Sequence, residues 1–477
     1  MGVKKNFIYS SILAVANYIF PLITYPYVSR VLGVTNIGIC NFVDSIINYF
    51  ILFSMMGVTT LGIREIAGVS TDSSKRSKVF SSLFALNGIA TLLMLVVLIV
   101  SIYIVPELRD YKELMYVGAA KLVANLFLVE WFFKGTENFK YITNRTILVR
   151  CLYVVAVFLF VRDANDYPIY FLLLTLTVII NAAINFPYAC TKIKLSFKEL
   201  LLKPFFKPFM IMGCYILLTS MYTSFNVTYL GFVTSPEQVG YYTTATKIFS
   251  IILAIYTAFT GVMMPRMSAL YAEGRIDDFK RMVDKSVSIL FALSVPAVIF
   301  TMFFAPEIIR LISGTGYEGA YLPARIIMPL ILIIGYEQIL VIQILMPAKQ
   351  DKMVLRNSIL GALVGVTANL LLVKHFQCVG SAVVWLLSEA TVLLSAQYVV
   401  KKEIGIHCPF KDFLKILLLY TPSIIILLLI RCNDNSKYLC NLALGCIPVF
   451  VNALAVFCYT QPLVVKTIIS RFSRRGN

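Results

Sequence analysis

The amino-acid sequence predicts an all-α, polytopic membrane protein with 14 transmembrane helices. Of its 477 residues, 59% are hydrophobic and only 14% are charged, whereas about a quarter of the residues in a soluble domain are charged. The mean hydropathy is +0.83. Apolar runs of about 20 residues, enough to cross a hydrocarbon core of about 30 Å, follow one another along the chain and leave no room for a soluble domain.

The predicted helices, here called spans 1 to 14, are placed by these apolar runs. Span 5 is the shortest, and a charged stretch precedes it. The spans lie near residues 9–28, 37–61, 79–104, 114–133, 146–161, 168–190, 209–232, 241–264, 286–304, 323–346, 357–373, 379–400, 412–430 and 438–461.

The basic residues give these spans an orientation. The formal net charge is +18, and Lys and Arg are retained in cytoplasmic loops. With the N-terminus inside, 31 of the 42 basic residues fall in inside segments and 9 fall outside. The bias persists from loop to loop, so we predict that both termini are cytoplasmic. The same bias explains the excess of basic residues by membrane topology rather than by nucleic-acid binding.

An internal repeat relates the two halves of the chain. The stretch RVLGVTNIGICNFVDSIIN, which begins at Arg30, is similar to TYLGFVTSPEQVGYYTTATKIFS if the second copy carries extra loop residues. Gly38 then matches Gly240, and 26 residues further on Arg64 matches Arg266. The copies span six helices, an even number, and so enter the membrane with the same polarity.

The repeat predicts the domain organisation. We expect an N-terminal six-helix bundle in residues 1–200, a C-terminal six-helix bundle in residues 201–404, and two additional helices with a basic cytoplasmic tail in residues 405–477. Two pseudo-symmetric bundles around a central cavity are a transporter design, in which one bundle rocks against the other around a site near mid-membrane.

Polar residues mark equivalent faces of spans 2 and 8. Asn41, Asp44 and Asn48 share one helical stripe, and the repeat places Lys247 at nearly the depth of Asp44. Each charge lies about 10 Å from the outer end of its helix at 1.5 Å per residue, too deep for snorkelling alone to explain the lysine. We therefore expect both to line a wet cavity, and a polar clamp between helices is the alternative.

Further candidates lie in other spans and at helix ends. Each has a structural alternative as well, a polar clamp between helices or an ion pair inside the bundle or, for the arginines, anchoring at the interface. They are Asn17 in span 1, Lys121 in span 4, Glu337 in span 10, Glu389 in span 12, and Arg30, Arg64 and Arg266 at helix ends.

Three stretches carry a resemblance to a known family. The first is NYIFPLITYPYVSRVLG, followed by IGICNFVDSIINYF and GIREIA. The second is EWFFKGTENFKYITNRTILVR, from Glu130 to Arg150, and the third runs from VGYYTTATKIFS to MMPRMSAL. They resemble bacterial polysaccharide flippases of the O-antigen type, within the multidrug/oligosaccharidyl-lipid/polysaccharide exporter superfamily.

The resemblance implies a substrate and a direction. Such flippases move lipid-linked oligosaccharides, usually on undecaprenyl pyrophosphate, from the cytoplasmic to the outer leaflet of the inner membrane, for O-antigen, capsule or exopolysaccharide synthesis. Their cavity carries cations, and Lys247, Lys121, Arg30, Arg64 and Arg266 are the positions that can supply them here. Asn17 and Asn48 are added as polar contacts. Family context also implies a polysaccharide polymerase and a chain-length regulator as partners.

Neither a catalytic centre nor a cofactor is predicted. No P-loop pattern is present, and His375 and His407 have no metal-ligand spacing to other residues. Asp44, Glu337 and Glu389 are candidates for binding a coupling cation or proton.

Three alternatives stay open. A lipid II flippase also has fourteen helices, and a multidrug exporter of the same superfamily shares the paired bundles. A membrane glycosyltransferase or polysaccharide polymerase is more remote, because the outer loops are too short to assemble an active site.

Overall fold

The structure of the protein is a computed structural model that describes residues 3–69, 72–198, 200–432 and 438–460. All regular secondary structure in these residues is helical, which confirms the all-α class. The predicted basic tail lies outside the described residues. The α-helices are α1 (Val3–Met55), α2 (Val58–Gly68), α3 (Ser73–Ile104), α4 (Pro106–Arg109), α5 (Lys112–Leu126), α6 (Glu130–Gly135), α7 (Phe139–Phe160), α8 (Tyr167–Cys190), α9 (Leu202–Thr223), α10 (Phe225–Val233), α11 (Pro236–Ala272), α12 (Ile276–Ser313), α13 (Tyr321–Ile327), α14 (Leu330–Gln338), α15 (Asp351–Ala368), α16 (Lys374–Ile404), α17 (Phe410–Leu419), α18 (Thr421–Cys432) and α19 (Tyr438–Thr460).

Ten helical segments of the described residues are long and apolar enough to cross a membrane, or eleven if the bent pair α17–α18 is one span. Two of the ten, Val15–Gly68 and Lys352–Ile404, exceed 50 residues. Each contains a non-helical residue, Gly33 in the first (φ 74°) and Gln377 in the second (φ 52°). These residues lie where the sequence separates span 1 from span 2 and span 11 from span 12. The count of fourteen stays a prediction.

Spans 4 and 5 differ from the sequence prediction. Span 4 is interrupted after α5, where Val129 adopts a left-handed conformation (φ 39°) before the short helix α6 begins. Span 5 was expected to begin at Thr146, but α7 begins at Phe139 and includes the charged stretch. The reason is a buried ion pair: Arg145 in this stretch contacts Glu130 of α6 at 3.1 Å. A charge paired in this way can lie inside a membrane helix bundle.

The helices divide into two compact units within the described residues. The first contains the residues up to Thr243 together with Val366–Ser381, and the second contains Thr244–Gly365 and the residues from Ala382 onward. The sequence-based division near residue 200 stays a prediction. In the first unit, α1 packs against α3, α5 and α7, and α5 packs against α8.

Each unit has its own apolar core. An aromatic cluster that includes Phe80, Trp131 and Phe132 lies in the first unit, with ring centroids about 5 Å apart. In the second unit, α19 packs along α12, and Glu307 of α12 forms an ion pair with Arg431 of α18. The two additional C-terminal helices, which correspond to α17–α18 and α19, therefore pack against the second unit.

Exposed aliphatic side chains mark surfaces that suit lipid. On α3, Leu92, Leu93, Val96 and Val100 recur at helical spacing, and each has about half or more of its surface exposed. A continuous apolar stripe of this kind would be unfavourable in water over its whole length. It is the expected outer face of a helix in a bilayer, where the hydrocarbon chains cover it.

The two glycines matched by the repeat lie at one close helix contact in the first unit. A Cβ on Gly38 would lie 1.8 Å from the Pro236 carbonyl oxygen and 3.0 Å from the Gly240 nitrogen. A Cβ on Gly240 would lie 2.3 Å from the carbonyl oxygen of Val34. The second half of α1 and the start of α11 therefore approach with backbone in contact with backbone, which only glycine permits.

Candidate functional site

A triad of polar side chains lies between α1 and α5 in the first unit. The Lys121 ammonium donates to Asp44 Oδ1 at 2.5 Å and to Asn48 Oδ1 at 3.1 Å. Asn48 Nδ2 donates to Asp44 Oδ2 at 2.9 Å, which closes the ring of hydrogen bonds. The triad brings together three candidates that the sequence places on two different spans.

The local sequence explains how the triad forms. Asp44 and Asn48 are four residues apart and therefore share a face of α1. Gly118, one helical turn before Lys121, lets α5 approach α1 closely, since a Cβ there would lie 2.4 Å from Ile47 Cγ1. The lysine side chain can then reach the acidic face of α1.

The triad is only partly buried. The side chain of Lys121 is 14% exposed and that of Asp44 is 30% exposed. An ion pair held between spanning helices at this exposure remains reachable by a water-borne group. Because the lysine has three donor hydrogens and two are used here, an anion can share Lys121 with Asp44 or displace the carboxylate.

The third polar residue of the same stripe has a different partner. Asn41 Nδ2 donates to Thr243 Oγ1 at 3.1 Å and to the Ile37 carbonyl at 2.8 Å. Asn41 and Thr243 are equivalent positions of the two repeat copies, so their contact joins matched points of the two copies. Asn41 therefore contributes to helix packing rather than to the triad.

The other candidates of the first unit lie at more exposed positions. Asn17 and Arg30 are exposed on α1. Arg64 was expected at a helix end, but it lies inside α2, where it is exposed and pairs with its neighbour Glu65 at 2.8 Å. An arginine with this exposure fits interfacial anchoring as well as it fits ligand binding.

In the second unit, Lys247 is half-buried on α11 and Arg266 is exposed near the end of the same helix. The structure also brings together the two acidic candidates of this unit, because the carboxyl group of Glu337 on α14 lies beside that of Glu389 on α16.

Two further polar clusters do not follow from the sequence pattern. Glu130 contacts Arg145 at 3.1 Å and Lys134 at 3.3 Å, and the Arg145 side chain is only 4% exposed. The signal that could have identified this cluster is the density of charge between spans 4 and 5. The cluster around Glu130 is a polar clamp between helices, which is the structural alternative given above for the other charged candidates.

The second of these clusters is a buried amide network in the first unit. Asn369 Nδ2 donates to Asn226 Oδ1 at 2.7 Å, and Asn226 Nδ2 donates to the Tyr242 hydroxyl at 3.3 Å. Each asparagine interrupts an apolar run of the sequence, which is the only local sign of it. No group of three or more metal-ligating side chains occurs in the part of the chain that the structure describes.

Comparison with known proteins relates this arrangement to membrane transporters. A family model described as "Polysaccharide biosynthesis protein" matches residues 3–271, and one described as "Lipid II flippase MurJ" matches residues 146–439. A protein of Escherichia coli K12 named "Putative O-antigen transporter" is 24% identical over 401 residues, which cover 82% of this chain and 95% of that protein. A Shigella dysenteriae protein of the same name is 24% identical over 408 residues and is covered to 98%.

Two solved structures share the fold. The lipid II flippase MurJ in an inward closed conformation matches with a TM-score of 0.71 and 16% identity, covering 96% of this chain and 99% of that one. An inward-facing multidrug resistance MATE family transporter of the MOP superfamily matches with a TM-score of 0.63 and 13% identity, covering 81% and 94%. At these identities the likeness shows the fold alone.

Proposed function

The chain belongs to the polysaccharide biosynthesis protein family of O-antigen flippases, in the multidrug/oligosaccharidyl-lipid/polysaccharide exporter superfamily, and from this membership we propose its substrate and its mechanism. The protein translocates undecaprenyl-pyrophosphate-linked oligosaccharide repeat units from the cytoplasmic to the periplasmic leaflet by alternating access. The repeat units serve O-antigen, capsule or exopolysaccharide synthesis. The relatives are transporters, and we assign no catalytic residue to this chain.

The observation that carries the proposal is the triad of Lys121, Asp44 and Asn48. A pyrophosphate cannot enter hydrocarbon unless fixed cations and hydrogen-bond donors replace its water. Lys121 provides a cation in a membrane-spanning helix, at 2.5 Å from Asp44. In the absence of substrate the carboxylate holds this charge. When the head group arrives, phosphate oxygens replace the carboxylate, and the polyprenyl tail remains in lipid.

The remaining polar candidates complete the proposed substrate path. Lys247 is a second cation within a spanning helix, half-buried like the triad. Asn17 and Asn48 can donate hydrogen bonds to sugar hydroxyls. Three exposed arginines, Arg30, Arg64 and Arg266, provide positive charge where the head group enters or leaves.

Substitution of Lys121 tests the proposal. In cells that depend on this protein, we would measure lipid-linked oligosaccharide on each leaflet with Lys121→Ala and with Lys121→Arg, which keeps the charge. The matched control is Lys112→Ala, which removes an exposed lysine from the first turn of the same helix. All variants are compared at equal abundance in the membrane.

The expected result is that the Ala variant traps oligosaccharide on the cytoplasmic leaflet, while the Arg variant and the Lys112→Ala control translocate it. Translocation by an equally abundant Lys121→Ala protein would contradict a role of this lysine in head-group binding. The same pair of substitutions at Lys247 then shows whether the cation of the second unit is required.

Lipid II is a second candidate substrate, because the MurJ family model matches residues 146–439. The two candidate substrates are distinguished by which missing flippase the protein can replace in a cell. Rescue of a strain that lacks its lipid II flippase would support lipid II, and rescue of a strain that lacks its O-antigen flippase would support the repeat unit.

The chain is a multi-pass membrane protein, and we place it in the bacterial inner membrane with both termini cytoplasmic. The distribution of Lys and Arg supports this orientation. A reporter that is active only in the cytoplasm should be active when fused to either terminus, and a reporter that is active only in the periplasm should be inactive there. A polysaccharide polymerase and a chain-length regulator are the proposed partners at the periplasmic side, and crosslinking of the protein in its own membrane would identify them.

A further inference from the structure

One helix of the second unit changes its hydrogen-bonding pattern inside an apolar run. After α14 (Leu330–Gln338), the chain continues as a π-helical segment at Ile339–Leu345. At the end of this segment the Met346 N–H donates to the Val341 carbonyl at 2.9 Å, five residues back instead of four. A segment of this kind holds one residue more than an α-helix of the same length. Short π-helical segments are rare and recur at functional sites.

The π-helical segment buries a polar side chain that it does not satisfy. Gln343 is 0% exposed, and neither its amide oxygen nor its amide nitrogen has a hydrogen-bond partner in the described residues. Ile339, Leu340, Ile344 and Leu345 are also 0% exposed and belong to the apolar core of this unit. A buried amide without partners is unfavourable, because it gives up its hydrogen bonds to water and gains none. The π-helical arrangement is therefore unfavourable at Gln343.

A second π-helical segment of the described chain pairs its buried amide. It lies at Asn369–Val373 in the first unit, and Asn369 is likewise 0% exposed. The Asn369 side chain, however, donates from Nδ2 to Asn226 Oδ1 at 2.7 Å. A π-helical segment can thus hold a buried amide when the packing supplies a partner. The difference between the two segments distinguishes Gln343.

The sequence around Gln343 allows a second register of the same helix. Moving the extra residue of a π-helical segment along the helix turns each residue that it passes by about 100° and shifts it by about 1.5 Å, the rotation and rise of one α-helical residue. If each residue takes the place of the one before it, Gln343 moves to the half-buried position of Ile342. Ile344 then enters the buried place that Gln343 leaves. The exchange buries an apolar side chain instead of an unpaired amide.

The end of the helix leaves room for this movement. The π-helical segment stops at Leu345, and the chain turns through residues 346–349 before α15 begins at Asp351. Lys349 in this turn has a positive φ of 55°, a left-handed conformation that is uncommon for residues other than glycine. A residue displaced from the segment can be taken up in the turn, so α15 need not lengthen.

We infer that Ile339–Leu345 is a conformational switch with two registers, the π-helical register that buries Gln343 and a second register that turns Gln343 toward the face of Ile342. The two registers are alternative packings of the same residues. Because the π-helical register is unfavourable at Gln343, a moderate change in the packing of the surrounding helices is enough to favour the second one. That the protein passes through the second register during transport rests on the proposed flippase function.

Removal of the buried amide tests the switch without any transport measurement. Gln343→Met keeps the length of the side chain and removes its polar ends, so it should raise the melting temperature by a few degrees. Asn369→Leu, the matched change in the second π-helical segment, should lower it, since Asn226 loses its partner. A melting temperature that Gln343→Met lowers or leaves unchanged would overturn the inference, because the amide would then not be unfavourable where it lies.

Hydrogen exchange of the protein in lipid nanodiscs tests the movement itself. The backbone hydrogen bonds of Ile339–Leu345 must break and form again when the register changes, so their amide protons exchange through this opening. Gln343→Met favours the π-helical register and should slow the exchange about tenfold. The amides of α12 around Val295 are the control and should exchange equally in both proteins. Equal exchange of Ile339–Leu345 in the two proteins would overturn the switch.

The role in transport is tested in proteoliposomes that contain a labelled undecaprenyl-pyrophosphate-linked oligosaccharide. Gln343→Met should flip it about tenfold more slowly than the wild-type protein, because it holds the helix in one register. Gln343→Asn, which keeps an amide, should flip it faster than Gln343→Met. Equal rates for the wild-type and Gln343→Met proteins would overturn the role in transport and leave the flippase function intact. A wild-type protein that flips nothing would contradict the proposed function, and hydrogen exchange would still decide the switch.

Discussion

The Lys121 ammonium lies 2.5 Å from Asp44 Oδ1, and the two residues belong to helices that are far apart in the chain. Asn48 contacts both of them. The pair has two consequences. It makes a positive charge tolerable in a spanning helix, and it keeps that charge available to an anionic ligand, since the side chains are 14% and 30% exposed.

The first prediction concerns the energetic coupling of this pair. We expect Lys121→Met and Asp44→Asn each to lower the free energy of unfolding. The loss in the double variant should be smaller than the sum of the two single losses by about 1 kcal/mol or more. Each single substitution leaves one charge partly buried without its partner, which the double variant avoids. Thermal unfolding in detergent, measured for all four proteins, gives the coupling. Additive effects would show that the two charges do not interact in the folded protein.

The second prediction concerns the contact between the repeat-matched glycines. Gly38→Ala should destabilise the protein by about 2 kcal/mol, because the new Cβ would lie 1.8 Å from the Pro236 carbonyl oxygen and the helices would have to separate. The matched control is Gly261→Ala in α11, where a Cβ would meet nothing within 4 Å. That change should be neutral or stabilising, since alanine favours the helix. Equal stabilities of the two variants would refute the close packing at Gly38.

The third prediction concerns the ion pair that makes the start of α7 helical. Glu130→Gln should destabilise the protein by about 3 kcal/mol, because the Arg145 side chain, 4% exposed, would keep its charge without an anionic partner. The exposed pair of Arg275 and Asp278 is the control, and Asp278→Asn there should have a much smaller effect. A comparison of the melting temperatures of the two variants makes the test. Similar decreases in melting temperature would mean that burial does not determine how much each ion pair contributes to stability.

The fourth prediction concerns pH and the cap of α3. The Asp72 carboxylate accepts hydrogen bonds from the backbone N–H groups of Lys75 and Ser74, both at 3.0 Å. These bonds, foremost that from Lys75, hold the pKa of Asp72 below its ordinary value. A pKa that is lower in the folded state means that the carboxylate adds stability above the unfolded pKa of about 3.9. This contribution is lost as the pH falls through the lower folded pKa.

Asp72→Asn isolates this effect, because asparagine retains a capping oxygen but not the charge. The wild-type protein should melt at a higher temperature than the variant near neutral pH. The difference should begin to shrink below about pH 4 and should disappear once the pH is below the lowered pKa of the folded state. Melting temperatures measured across this range decide the matter. A difference that is independent of pH would show that the charge of Asp72 does not contribute to the cap.

The amino-acid sequence by itself determined the class of the protein and much of its internal symmetry. Apolar runs long enough to cross a bilayer predict spanning helices, because a buried backbone must satisfy its own hydrogen bonds there. The repeat matched Gly38 with Gly240, and the structure places these residues at one close contact. Helical periodicity also placed Asp44 and Asn48 on one face, and they are hydrogen-bonded to each other.

Only the tertiary structure decided which polar residues are partners. The sequence placed Lys247 at nearly the depth of Asp44 on the equivalent helix, yet the lysine that contacts Asp44 is Lys121. Likewise, Glu337 and Glu389 were separate candidates until the packing of α14 and α16 made them neighbours. Periodicity fixes the face of a helix on which a side chain lies. It does not fix the rotation and depth at which another helix packs against that face, and these depend on the packing of the whole bundle.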